Sequence, residues 1–90
     1  MANLHERSIE TTITFKSAFL LTSLDRPQPP GTYRVVTDEK QIEGLSFFAF
    51  HRTATWLHLP AIAISEHPKE VVVVDPKELA AALEADAARG

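Results

Sequence analysis

Hydrophobic and polar positions near the start of the chain alternate with a period of two. Ile9, Thr11, Ile13 and Phe15 fall on one side; Glu10, Thr12, Thr14 and Lys16 fall on the other. Such alternation, rich in β-branched residues, predicts a half-buried strand. It breaks at Lys16 and Ser17, and residues 18–21 are apolar on both sides. A bulge or bend near Ser17 is expected to re-aim the rest of this segment, which closes at residues 22–24. Residues 25–31, DRPQPPG, form a loop, because their three prolines cannot donate to a ladder and bias their predecessors away from helix.

Residues 32–37 predict a second strand with Tyr33, Val35 and Thr37 on one face. The polar run 38–41 admits two readings. One is a hairpin loop on a type I turn. The other is a single helical turn with Asp38 as cap, Gln41 at the capping-box position and Gly44 as the left-handed exit. Apolar and β-prone flanks favour the hairpin. Residues 45–50 are nearly all apolar, and 53–59 predict a strand with Thr53, Thr55, Leu57 and Leu59 on one side. Between them, His51 and Arg52 mark a kink or a change of neighbour. Pro60 marks a corner, 61–65 a short strand, and Val71, Val72, Val73 and Val74 a strand that needs cover on both faces.

The C-terminal element has the clearest start signal. Asp75 stands at the N-cap, Pro76 at the first helical position and Glu78 two further on, which predicts a helix over about 76–89. Leu79, Ala80, Leu83 and Ala87 form its apolar stripe, and Arg89 suits the negative end of its dipole. The expected fold is therefore α+β: about five or six short antiparallel strands in a strongly curved or barrel-like sheet, then one helix. Residues 1–8 read as a flexible tail and 9–90 as a single domain. One narrow helix shelters one sheet face only, whereas 18–21, 45–50 and 71–74 are apolar on both. The sheet is expected to curl over much of this surface and a homodimer to cover the rest.

Composition narrows the chemistry. With no cysteine there are no disulfides, thiolate nucleophiles or cysteine-ligated metals. A net charge of −3, with Lys and Arg scattered singly, argues against nucleic-acid binding. No apolar run approaches a membrane span, and the polar N-terminus carries no secretory signal, so a cytoplasmic location without membrane contact is expected. The string GTYRVVTDEKQIEGLSFFAFHRTATWLHLP, followed by VDPKELAAALEAD, resembles a group of short alphaproteobacterial proteins of unassigned function, from about Thr14 onward. The group tends to carry Pro and Tyr where this chain has Phe48 and Phe50. The resemblance implies a bacterial cytoplasmic setting and no activity.

No catalytic, cofactor or metal constellation stands out. His51, His58 and His67 lack the spacings of metal ligands, although a kink at Arg52 brings His51 and His58 to one side. Asp38, Glu39 and Glu43 read as a solvated bend, and neither Ser46 nor Ser65 sits in a nucleophile elbow. Trp56 is the best interface anchor, sharing the parity of Arg52 and His58; His51 and Arg34 complete the candidate contacts. The expected function is a non-enzymatic protein-interaction or regulatory module that self-associates. The alternative is a small-molecule-binding domain or minor enzyme with Arg52, His51 and His58 at the mouth of a hollow in the curved sheet. A filled interior with an exposed apolar patch marks the first, and a hollow of several hundred Å³ marks the second.

Overall fold

Four antiparallel strands in the order β1-β2-β3-β4 and one C-terminal helix make up the computed structural model, which describes residues 6–42 and 50–89. The strands are β1 (Glu6–Phe15), β2 (Gly31–Gln41), β3 (Phe50–Leu59) and β4 (Glu70–Val73), and α1 spans Pro76–Ala88. Register follows the alternation read from the sequence. Thr11 pairs with Val35, Val35 with Leu57, and Leu57 with Val72, so this row faces α1. Glu10, Val36, Trp56 and Val73 form the next row and face the other way.

The core sits on the helix side. Phe15, Tyr33, Val35, Leu57 and Leu59 come from the sheet, Leu79 from α1, and Phe19, Leu21 and Leu24 from the connection between β1 and β2. Burying each large side chain contributes about 1.5–3 kcal/mol. Phe15 stacks on Phe19 at 3.7 Å between ring centroids, and Phe19 meets Tyr33 edge-on at 5.2 Å. The Tyr33 hydroxyl donates to the Pro29 carbonyl, and burial pushes the phenol pKa above its ordinary value.

Several expectations need correcting. Residues 18–24 are not strand. They fold beneath the sheet, held by paired backbone bonds between Phe19 and Gln28 (3.0 and 2.8 Å) and by the Leu24 amide on the Leu21 carbonyl. Their apolarity serves a lid, with Phe19, Leu21 and Leu24 inward and Leu20 left 57% exposed. Residues 61–65 form a turn after Pro60, with Ile64 at the surface. Among the described residues there are therefore four strands rather than five or six, and the sheet is open rather than curled into a barrel. β1 already begins at Glu6, so part of the expected tail is strand. Residues 38–41 continue β2, replacing both the hairpin-loop and the helical-turn reading of that run. The reversal that follows, with residues 45–49, lies outside the described residues.

The helix starts as its sequence dictates: the Asp75 carboxylate accepts from the Lys77 amide at 2.8 Å. Its inward stripe is rotated from the expected one, to Leu79, Ala82, Leu83 and Asp86, leaving Ala80 and Ala87 exposed. Asp86 explains the rotation. Its carboxylate accepts from the Lys16 amide (2.8 Å), the Ser17 amide (3.0 Å) and the Ser17 hydroxyl (2.7 Å), where β1 stops. Those bonds, the Lys16 amide first, hold its pKa below the ordinary 3.8. About two turns earlier, Glu78 accepts from the Thr22 amide and hydroxyl of the lid. Two carboxylates thus fasten α1 to the segment after β1.

Candidate functional site

The sheet face turned away from α1 carries Trp56, Arg34, His58 and His51 of the candidate contacts. Val71 and Val73 on β4 are 46% and 50% exposed, and Trp56, Val36, Arg34 and His58 beside them are half-buried. Trp56 is held against the sheet because its indole Nε1 donates to Asp38 Oδ2 at 2.9 Å. The Ser8 hydroxyl donates to Asp38 Oδ1 at 2.6 Å, so one carboxylate on β2 ties β1 to β3. These bonds, Ser8 first and then Trp56, lower the Asp38 pKa from the ordinary 3.8.

A second row on this face is more polar. Arg34 sits opposite Thr12, and His58 opposite Val71. The Arg34 Nε lies 3.4 Å from Glu10 Oε2, an ion pair aimed too poorly to count as a hydrogen bond. His58 Nδ1 is buried and has no hydrogen-bond partner among the described residues.

The expected break near His51 and Arg52 appears one residue on, as a β-bulge. Asp38 pairs with Ala54 and Glu39 with Arg52, so Thr53 is the extra residue. Every side chain before it changes face. Arg52 therefore leaves the Trp56 face and joins the helix side, a correction to the parity argument. His51, paired with Lys40, moves onto the Trp56 face. His51 and His58 are still separated by roughly 20 Å of strand. Among the described residues, no group of three or more His, Asp or Glu side chains is placed to hold a metal ion.

The other singled-out groups have structural partners. Glu39 points to the helix side and accepts from Arg7 Nε at 2.7 Å, so it does not pair with Asp38 as a carboxylate dyad. The Ser65 hydroxyl donates to the His67 carbonyl at 2.9 Å. Glu43, Gly44, Ser46, Phe47 and Phe48 lie outside the described residues. Among the described residues no helix is long and apolar enough to cross a membrane. Depressions lined by described residues open to solvent, one of about 550 Å³ among mostly charged and polar side chains at the start of β1 and the end of β2.

Asp38, placed by sequence reasoning in a solvated bend, has a bond to Trp56 that such reasoning missed. Its even parity with Arg34 and Val36 places it beside Trp56 once residues 38–41 are strand rather than bend. An acid titration should expose the link. Because the folded pKa of Asp38 is depressed, its bond to Trp56 is intact above pH 3.8 and weakens as pH falls through the lower folded value. The emission of Trp56, the only tryptophan, should shift in that acid range, and Asp38→Asn should abolish the shift while the fold is retained. An unchanged shift in Asp38→Asn removes the assignment. Comparison of the chain with protein-family models, with curated proteins and with solved structures gives no match.

Proposed function

We propose that the protein is a small interaction module whose working surface is the uncovered sheet face, and that it forms a homodimer through that face. The carrying observation is the pair of half-exposed valines, Val71 and Val73, beside Trp56 on a face that α1 does not reach. The described core is one cluster of buried side chains on the helix side, and the exposed valines on the other face favour an interaction surface as the main reading. On the resemblance alone, the setting we assign is the bacterial cytoplasm; the net charge of −3 and the scattered Lys and Arg speak against nucleic acid as partner.

Geometry sets the strength. Four strands about 4.8 Å apart, averaging about nine residues, give a face of roughly 500 Å². Two such faces bury roughly 1,000 Å², the lower limit for a specific interface, so the dimer is reversible and weak. Two sheets packed face to face lie about 10 Å apart.

Sedimentation from low to high micromolar concentration tests this. Dimer is expected at the upper end, with Val73→Glu leaving a folded monomer, since Val73 is half in water already. Trp56→Ala should weaken assembly more than folding. A strict monomer of the unaltered chain at high micromolar concentration overturns the dimer.

A further inference from the structure

We propose that the opposite, helix-side face holds a second binding site, for a small amphipathic organic anion: a carboxylate with an apolar body. The site lies between the first half of α1 and the sheet, where two adjoining depressions of about 250 and 230 Å³ share Arg52, Thr55 and Pro76. Together they fall within the range of small-molecule sites.

Thr55 is the first pointer. It is 3% exposed, and its hydroxyl has no hydrogen-bond partner among the described residues. An unpartnered buried hydroxyl is destabilising, and Thr55 lines both depressions. A rotation of the Thr55 side chain toward the depressions would let a ligand oxygen satisfy it.

The second pointer is charge. The bulge at Thr53 puts Arg52 on this face, opposite Glu39, but Arg7 already occupies the Glu39 carboxylate. Lys77 stands in the first turn of α1 at the positive end of the helix dipole and lines the same depression as Arg52. Neither cation has an ion pair among the described residues. Nearby acids are engaged: Asp75 caps the helix and Glu78 accepts from Thr22. The walls are apolar, from Ile13, Leu79 and Leu83. Inorganic phosphate would leave those walls wet, and a neutral alcohol would leave the cations unmatched. An alkyl carboxylate meets both demands.

The test is a titration of the isotopically labelled full chain with decanoate below its micelle concentration, followed by backbone amide shifts. Saturable shifts centred on Arg52, Thr55 and Lys77 are expected, with decanol and inorganic phosphate each binding at least roughly tenfold more weakly. Arg52→Met should lower decanoate affinity roughly tenfold with an unchanged melting temperature, the loss of one charge-assisted bond. Thr55→Val should lower affinity while leaving the fold as stable or more so, because it removes the orphaned hydroxyl. Val73→Glu should bind decanoate normally, which separates this site from the dimer face. Absence of saturable shifts, decanol binding as tightly as decanoate, or shifts centred on Trp56 would overturn the proposal.

Discussion

Phe15→Ala is expected to remove about 3–5 kcal/mol of folding stability, the usual cost of deleting a buried aromatic side chain. Phe15 is 1% exposed, stacks on Phe19 and meets the edge of Tyr33 at 6.4 Å. It joins the sheet to the lid, so no neighbour can relax into the space without moving the 16–30 connection. A domain of this size holds about 5–10 kcal/mol in total, so the variant should lie close to its unfolding midpoint. Urea denaturation followed by circular dichroism measures the loss. Leu20→Ala, at a position 57% exposed, is the control and should stay within about 0.5 kcal/mol. If the two variants behaved alike, the lid would not be part of the core.

Gly31→Ala should cost about 2–4 kcal/mol, through two effects that a second substitution separates. Gly31 opens β2 with φ of +151°, a conformation in which a side chain is strained. Its missing Cβ would also stand 3.0 Å from the Ala61 Cβ, at the turn after Pro60. Ala61→Gly in the Gly31→Ala background should recover about 1 kcal/mol by relieving the contact, while the backbone strain remains. Thermal melts of the four proteins in that cycle give the coupling. Full recovery would show that contact alone sets the cost.

These two sites show where the sequence was legible. The alternation at Ile13, Phe15, Tyr33, Val35, Leu57 and Leu59 assigned the buried face correctly, because period two admits one inward set. Asp75, Pro76 and Glu78 fixed the helix start through local capping chemistry. What failed was non-local. Residues 18–24 have strand composition, yet their backbone partners are the loop at Gln28 and the helix carboxylate of Glu78. Nothing in the alanine run singles out Asp86, because its partners, the amides of Lys16 and Ser17, come from the far end of the chain. The candidate contacts fared similarly. Trp56, His58 and Arg34 share a face as parity requires, whereas Arg52 and His51 exchanged faces through one inserted residue at Thr53 that no periodicity rule registers.

The Asp86 clasp also fixes when folding can finish. It joins groups 70 positions apart, and closing so long a loop is slow unless intervening structure has formed. The meander of β1, β2 and β3 can assemble from hairpin contacts, but the last turn of α1 gains its partners only after β1 has ended at Phe15. Helix docking should therefore be the closing event, with interactions that are weak in the transition state and that mainly retard unfolding. The Lys16 and Ser17 amides become its reporters: in hydrogen exchange they should gain protection last on refolding and lose it first when α1 lifts away.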